Sequence, residues 1–300
     1  MLHHRIVVFA AVAEHGSFTK AAMQLEISQP AVTKQVKELE KELEVRLVDR
    51  KGQFIALTEA GKLVLAYYHK GVALQQSLEL ELSDIRQRFS GSLRVGASTT
   101  IAQYILPFAL AHFYKKHPDV KVKVESGNTQ QVQEKLIRGE IDFGIVEGLP
   151  NNRNLHYEPI IRDEIAVLVN AEGKYAQLDT LNVDQLKTMP VILREKGSGT
   201  LDILEQELEK QLGLRVVDMN IVMQLDSTEA IKTFVKTTDS IGFFSVPSVM
   251  MDIKAGSLKI LDVEGLDINR MFYVIYPQGP APHGMAAQLL KYLQYYHQFG

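Results

Sequence analysis

One helical pattern runs from Thr58 to about Phe89 and divides this chain of 300 residues into two unlike parts. Apolar residues recur along it at spacings of three and four, interrupted only at Glu81: Val64, Tyr67, Gly71, Leu74, Leu78, Ile85 and Phe89. A helix with so narrow an apolar stripe is marginal in water by itself, so it needs a partner. A second copy of the chain is the favoured partner. Packing on the chain's own C-terminal part is the alternative.

The residues before this helix predict three short helices and a β-hairpin. Gly16 ends the first helix, Ser17 caps the second, which runs from Phe18 to Leu25, and Ser28 caps the third. Pro30 falls in the first turn of the third helix, where its missing N–H costs little. The predicted buried face of that helix consists of Ala31, Val32, Val36, Leu39 and Leu43. Two short apolar runs around Gly52, within residues 47–57, predict the hairpin.

The second and third helices meet at a tight turn at Glu26 and Ile27, which is helix-turn-helix geometry. Gln29, Thr33, Lys34 and Lys37 lie on the side of the third helix that faces away from its apolar stripe. Amide, hydroxyl and ammonium groups match base edges and phosphates in a major groove. Periodicity alone also fits a helical hairpin with a solvated polar face. The acidic residues Glu38, Glu40, Glu42 and Glu44 predict such a solvated face farther along the helix.

Residues 2–61 resemble the DNA-binding region of the LysR-type transcriptional regulators. The matching residues are Phe9, Ser17-Phe18-Thr19-Lys20-Ala21-Ala22, Leu25, Ser28-Gln29-Pro30-Ala31-Val32-Thr33, Leu39-Glu40, Leu43, Leu47, Arg50 and Leu57-Thr58-Glu59-Ala60-Gly61. The rest of the chain matches the family in its layout. One departure lies in the wing, which reads Arg50-Lys51-Gly52-Gln53-Phe54 where members often carry several arginines, so contact of the wing with a minor groove is expected to be weaker.

The resemblance implies a winged helix-turn-helix, a dimerising linker helix and commonly a homotetramer. It implies double-stranded DNA as a partner, with two recognition helices of each dimer in successive major grooves. The residues predicted to contact DNA are Ser17, Thr19, Lys20, Ser28, Gln29, Pro30, Thr33, Lys34, Lys37, Arg50 and Lys51. Among them the cationic side chains would bind phosphates, because their local field matters more than the net charge of −3.

Strands and helices alternate after the Ser90-Gly91-Ser92 break. The predicted strands are residues 93–97, 120–125, 142–147, 165–169, 191–194, 221–225, 241–244 and 271–276. The predicted helices are residues 101–116, 129–138, 201–212, 228–236 and 284–299. Such alternation predicts mostly parallel sheets covered by helices on both faces. Two sets of strands suggest two α/β lobes, which in the family resemble periplasmic solute-binding proteins.

The fold class is therefore α/β with an N-terminal all-α winged helix-turn-helix, a long linker helix and a two-lobed, periplasmic-binding-protein-like α/β domain. The predicted domains are residues 1–58 for DNA binding, 59–90 for the linker and 91–300 for effector binding. Lobe I would comprise about residues 91–162 and 268–300, and lobe II about residues 163–267.

Three segments that precede predicted helices carry hydroxyl groups. They are residues 98–100, residues 127–129 and residues 196–200. Hydroxyls beside the free N–H groups of a helix start favour an anion, and ligands of such folds bind in the cleft between the lobes. By the resemblance, the predicted effector-binding residues are Thr99, Thr100, Thr129, Ser198, Thr200 and Ser227. Ordinary helix capping is the alternative for each of them.

The segment from Leu193 to Thr200 is similar to members linked to sulfur metabolism, which suggests a small oxyanion or carboxylate as effector. Its Gly197-Ser198-Gly199-Thr200 run lacks the spacing of a phosphate-binding P-loop.

Several function classes find no support in the residues. The chain has no cysteine, no His-x-x-x-His or His-Glu-x-x-His motif for zinc and no nucleophile–base motif, so we expect no metal, no cofactor and no enzymatic activity. No apolar run approaches a membrane span, and no signal-peptide pattern is present, so a cytoplasmic protein is expected. A solute-binding protein or an α/β enzyme without a transcriptional role is the alternative function, and residues 1–60 argue against it.

Overall fold

A computed structural model describes residues 3–51, 54–86 and 91–296. The chain forms two compact units, Met1–Arg86 and Gln87–Gly300.

The first unit is a winged helix-turn-helix followed by a long helix. Its elements are α1 (His4–His15), α2 (Phe18–Gln24), α3 (Gln29–Leu43), β1 (Val48–Lys51), β2 (Phe54–Leu57) and α4 (Glu59–Arg86). Gly16 is left-handed at the end of α1, and the hydroxyls of Ser17 and Ser28 accept the backbone N–H groups of Lys20 and Ala31. The predicted caps are thus confirmed. Strands β1 and β2 pair antiparallel as predicted, while the turn at residues 52 and 53 lies outside the described residues.

The core of this unit is apolar and lies between α1, α2 and α3. Phe9, Val12, Val32, Val36 and Leu39 are buried in it. Leu43 was predicted to be buried and is instead 42% exposed. The prediction was wrong because Leu43 is the last residue of α3 and lies outside the apolar cluster that buries Val32, Val36 and Leu39.

The start of α4 is fixed by Thr58 and Gly61. The Thr58 hydroxyl accepts from the Gly61 backbone N–H at 3.0 Å and donates to the Arg46 carbonyl at 2.6 Å. A Cβ atom on Gly61 would lie 2.1 Å from the Leu47 carbonyl oxygen. Glycine is therefore required where the helix passes this backbone.

Helix α4 leaves most of its apolar stripe uncovered. Val64 packs on the core, but Tyr67, Leu74 and Leu78 are more than half exposed. The side chain of Ile85 and residue Phe89, which the sequence pattern includes, lie outside the described residues.

The second unit is a two-lobed α/β domain, as predicted. Its strands are β3 (Gly91–Ser98), β4 (Val120–Gly127), β5 (Phe143–Glu147), β6 (Leu155–Asn170), β7 (Thr180–Leu181), β8 (Val191–Arg194), β9 (Ile221–Leu225), β10 (Ile241–Ser245), β11 (Leu258–Val263) and β12 (Asn269–Pro277). Its helices are a π-helical turn (Ile101–Ile105), α5 (Leu106–Lys116), α6 (Thr129–Ile137), α7 (Val183–Thr188), α8 (Gly199–Leu212), a 3-10 turn (Val216–Asp218), α9 (Thr228–Thr237), α10 (Val246–Lys254) and α11 (Met285–Tyr296). The short elements β7, α7, α10 and β11 were not predicted.

Strand β6 passes from one lobe to the other. Its first half pairs with β12, and its second half, from Ile165, pairs with β10 and β11. The sheet order is β4-β3-β5-β12-β6-β10-β8-β9. We call the part that contains β3, β4, β5 and α6 the first lobe, and the part that contains β8, β9, β10, α8 and α9 the second lobe.

The prediction of mostly parallel sheets was wrong for the middle of this order. The outer pairs, such as β3 with β4 and β8 with β9, are parallel. Strands β6 and β12 run antiparallel to each other and to their neighbours. Parallel neighbours need a crossover connection between them, whereas antiparallel neighbours do not.

Helices cover both faces of the sheet in the second lobe. Val167 packs into the cluster that contains α7 and α8, and the next residue, Leu168, packs into the cluster that contains α9. Because successive side chains of β6 point to opposite faces of the sheet, this one strand contributes to the hydrophobic core on each face. The carboxyl ends of the parallel strands of each lobe remain free for polar groups.

Candidate DNA-binding surface and effector site

The third helix begins at the helix-turn-helix turn and presents two unlike faces. Glu26 adopts a positive φ of 54°, and the Ile27 N–H donates to the Ala22 carbonyl at 3.1 Å, which closes the turn. Val32 and Val36 are buried against α1 and α2. The opposite face of α3 is therefore free along its N-terminal half.

That free face carries the predicted base-contacting residues. Gln29, Lys34 and Lys37 are exposed, and Thr33 is half-buried. The Gln29 amide donates to the Thr33 hydroxyl at 3.1 Å. Because an amide held in this way keeps its carbonyl and its second N–H free, it can still pair with a base edge.

The other predicted DNA contacts surround this face or lie in the wing. Thr19, Lys20 and Pro30 are exposed, whereas the hydroxyls of Ser17 and Ser28 already serve as helix caps. The backbone of Arg50 and Lys51 belongs to β1, and their side chains lie outside the described residues.

Sequence reasoning missed Arg46 at this surface. Arg46 is exposed between α3 and β1 and lines one groove with Thr33 and Lys37. The sequence could have indicated Arg46, because this cationic residue lies between the recognition helix and the first strand of the wing.

The acidic run on α3 is solvated only in part: Glu42 and Glu44 are exposed, as the sequence suggested, whereas Glu38 and Glu40 are half-buried. Arg5 of α1 forms ion pairs with Glu38 at 3.1 Å and Glu42 at 2.8 Å. The Glu40 carboxylate accepts the backbone N–H groups of Leu47 and Val48 at 2.8 and 3.3 Å. These carboxylates hold α3 to α1 and to the wing, and Arg5 offsets negative charge that would otherwise repel phosphates.

In the second unit, three of the predicted effector hydroxyls meet at Glu147, the last residue of β5. The Thr100 and Thr200 hydroxyls donate to its Oε1 atom at 3.4 and 3.1 Å. The Thr129 hydroxyl donates to its backbone carbonyl at 2.8 Å. Since all four residues are at most 5% exposed, they form one buried polar cluster between the lobes.

The remaining predicted residues fall into two kinds. Ser198 is 1% exposed at the start of α8, and its hydroxyl makes no helix cap and no other hydrogen bond with the residues that the structure describes. Ser98, at the end of β3, is likewise buried with an unpartnered hydroxyl. In contrast, Thr99 donates to the Gly127 carbonyl at 3.3 Å, and Ser227 caps α9 through the Ala230 N–H.

A buried charge network adjoins the cluster, and sequence reasoning missed it. Arg270 of β12 donates to Asp163 of β6 at 2.6 Å and to the Thr200 hydroxyl at 2.9 Å. Its Nη2 atom lies 3.2 Å from Glu147 Oε2, an ion pair by distance whose angles are not those of a hydrogen bond. Burial raises the pKa of Asp163, although Arg270 opposes that shift. One cation thus serves two buried carboxylates.

The two lobes approach each other closely around this network. A Cβ atom on Gly199 would lie 2.3 Å from the Glu147 carbonyl oxygen. The Gln130 N–H of α6 donates to the Gly197 carbonyl at 3.3 Å, and the Asn128 amide donates to Glu195 at 3.2 Å. The N-terminal ends of α6 and α8 therefore lie on opposite sides of the same cleft.

A second contact between the lobes lies at Tyr104. Its hydroxyl donates to Glu229 of α9, and burial followed by this hydrogen bond raises the pKa of Tyr104. Lys232 lies over the Tyr104 ring and also pairs with Glu229 and Asp252.

Two family sequence models match the chain. The model described as "Bacterial regulatory helix-turn-helix protein, lysR family" matches residues 3–62, and "LysR substrate binding domain" matches residues 86–297. The chain belongs to the LysR family. It is a DNA-binding transcription regulator, so the alternatives of a solute-binding protein or an enzyme are set aside.

Individual LysR-type relatives cover nearly the whole chain. The transcriptional activator CmpR of Synechocystis is 31% identical over 290 residues, which is 97% of this chain and 94% of CmpR. A probable RuBisCO transcriptional regulator of Trieres chinensis is 32% identical over 89% of this chain and 88% of its own length.

Solved structures show the same fold. CrgA, a LysR-type regulator from Neisseria meningitidis, matches with a TM-score of 0.62 at 22% identity, over 99% of this chain and 98% of that one. The regulatory domain of Synechocystis CcmR in complex with 2-PG matches with a TM-score of 0.60 at 27% identity, over 68% of this chain and 96% of that one.

Within the described part of the chain, no helix is long and apolar enough to cross a membrane. In the same residues, no group of three or more His, Asp or Glu side chains is placed to hold a metal ion.

Proposed function

We propose that this LysR-type regulator reads its operator with the N-terminal half of α3 and senses a small anion in the cleft between the lobes of its second unit. The observation that carries the proposal is the buried polar cluster at Glu147, where hydroxyls from both lobes meet. A buried hydroxyl without a partner costs about 1–3 kcal/mol, so Ser98 and Ser198 favour a bound ligand that completes their hydrogen bonds.

On the DNA side, Gln29 and Thr33 would contact base edges. The cationic side chains would bind phosphates, which supply affinity without sequence information. They are Lys20, Lys34, Lys37, Arg50 and Lys51. The helix-turn-helix would be held against the sugar-phosphate backbone of the DNA by the exposed residues Thr19 and Pro30 and by the capping residues Ser17 and Ser28.

On the effector side, Thr100, Thr129, Ser198 and Thr200 would bind the anion, and Thr99 would lie at its edge. The start of α8, which the Ser198 hydroxyl does not cap, would contribute N–H groups, and the opposed helix starts of α6 and α8 would both contribute positive dipole ends. Support for the ligand class comes from CcmR, whose regulatory domain was solved in complex with 2-PG. Ser227 is the weakest member, because its hydroxyl is already used to cap α9.

The uncovered stripe on α4 supports a dimer, and two dimers would form a tetramer. Ligand binding would favour one arrangement of the lobes, and the change in assembly would alter the bend of the bound DNA. A protein that regulates transcription in this way would work in the cytoplasm.

The experiment separates the two halves of the proposal. Gln29→Ala and Pro30→Ala should weaken operator binding in a gel-shift assay, while thermal stabilisation by 2-PG, phosphate or sulfate stays as in the wild type. Thr100→Val combined with Thr129→Val should abolish the thermal stabilisation by these anions, while operator binding stays as in the wild type. Unchanged footprints for the first pair would count against the recognition helix, and wild-type anion affinity in the second would remove the cleft.

A further inference from the structure

The effector cluster already holds a carboxylate, which belongs to Glu147. Its Oε1 atom accepts the hydroxyls of Thr100 and Thr200, the donors that the proposed function assigns to the effector. Arg270 places a positive charge beside this carboxylate, with Nη2 at 3.2 Å from Oε2. We infer that Glu147 is a tethered anion that occupies the effector's place in this conformation, so that an anionic effector binds by displacing it.

The fit of this internal carboxylate is incomplete. Glu147 Oε2 and Arg270 Nη2 are both buried and make no hydrogen bond within the described part of the chain, and the contact from Thr100 is long at 3.4 Å. The hydroxyls of Ser98 and Ser198 stay unpartnered in the same region of strand ends and helix starts. A free oxyanion carries more acceptor atoms than one carboxylate edge and is not limited by a side-chain tether. It can therefore accept hydrogen bonds from donors that Glu147 does not reach, such as the hydroxyls of Ser98 and Ser198.

Charge in the cleft opposes an anion as long as Glu147 remains there. Arg270 is shared between Glu147 and Asp163, so the buried group of one cation and two carboxylates has no spare positive charge. The neighbouring Arg194 is likewise paired, with Glu195 at 2.9 Å. Like charges a few ångströms apart in a partly buried site repel strongly.

Glu147 therefore determines the affinity of the site and selects its ligand. An effector must bring enough acceptor oxygens to exchange with a carboxylate, which favours phosphate, sulfate or phosphate-ester groups over neutral molecules. The exchange also couples ligand binding to the lobes, because Glu147 belongs to the first lobe and its partner Thr200 to the second. This inference rests on the proposed location of the effector.

The test is Glu147→Gln in the full-length protein, titrated with inorganic phosphate by isothermal calorimetry. The amide can still accept from Thr200 but carries no charge, so Arg270 becomes available to the anion. We expect phosphate to bind at least about tenfold tighter than to the wild type. Glu140→Gln is the matched control, since it removes one charge from an exposed residue of the same lobe. Its affinity should stay within about twofold of the wild type.

A Glu147→Gln variant that binds phosphate equally or more weakly overturns the inference, and so does the absence of binding to both proteins. If Glu147→Gln fails to fold by circular dichroism, Glu147→Ala is the second variant, with the same direction expected. The Thr100→Val and Thr129→Val pair separates the two failures. If phosphate binding depends on these hydroxyls but not on Glu147, only the tethered anion fails. If phosphate affinity is unchanged when the Thr100 and Thr129 hydroxyls are removed, the proposed effector site is wrong.

Discussion

Replacing Arg270 by methionine should destabilise the second unit strongly. The side chain of Arg270 is fully buried, as is that of its partner Asp163, and Glu147 lies on its other side. Methionine fills a similar volume but leaves two carboxylates buried without a cation. Removing one partner of a buried pair costs about 3–5 kcal/mol. For a unit of this size, 1 kcal/mol lowers Tm by about 2–4 °C, so we expect a decrease of about 6–20 °C.

The loss should also depend on pH. Burial already raises the pKa of Asp163, and the charge of Arg270, followed by the hydrogen bond from Ser245, opposes the shift. Without Arg270 the pKa of Asp163 rises further, so the folded state takes up a proton more readily than the unfolded chain. A carboxyl whose pKa is raised by folding adds stability as the pH falls below the folded pKa, until the unfolded carboxyl is protonated as well. The deficit of Arg270→Met should therefore shrink from about pH 8 to about pH 5.5.

Differential scanning calorimetry of the full chain at one protein concentration measures this. The winged helix-turn-helix unit serves as an internal reference, because its transition should not move. Arg215→Met is the matched control, since Arg215 pairs with Asp218 at the surface and exposed pairs contribute under about 1 kcal/mol. A loss for Arg270→Met as small as that of the control, or a loss equal at both pH values, would refute the role assigned to Arg270.

Three further predictions concern the first unit. Gly61→Ala places a Cβ atom against the Leu47 carbonyl and should cost about 1–3 kcal/mol, seen as a lower Tm of this unit; an unchanged Tm would contradict the close approach. Lys34→Ala and Lys37→Ala should each reduce the slope of log K against log salt for operator binding by about 1, and an unchanged slope would mean that these side chains do not contact phosphates. Leu74→Glu puts a charge on the exposed stripe of α4 and should lower the sedimenting mass in analytical ultracentrifugation; if the assembly stays intact, the stripe is not the interface.

The sequence by itself determined the first unit almost completely. Its signals are local: Gly16, Ser17 and Ser28 mark helix ends, and three- and four-residue spacing selects the face that Val32 and Val36 bury. Once one face of a short helix is buried, the residues on the other face are known. The exceptions are Leu43, because periodicity does not say where a buried face ends, and Arg46 and the acidic residues of α3, because their neighbours belong to other elements.

The sequence also located the hydroxyls of the effector site, since residues at strand ends before helices can be recognised locally. It did not find the N-terminal half of β6. Residues 155–164 contain Pro159 and several charges, which argue against a strand. The structure resolves this with a register shift: Phe272 of β12 pairs with Ile161, and the next residue, Tyr273, pairs with Pro159.

Only the tertiary structure decided what those hydroxyls contact. Glu147, Asp163 and Arg270 lie far apart in the chain, on three strands that become neighbours through the order β5-β12-β6. Each residue looks like an ordinary charge next to an apolar run, and no local pattern pairs them. Because the energy of a buried charge depends on which opposite charge the fold brings to it, the chemistry of the cleft is a property of strand order rather than of any one segment.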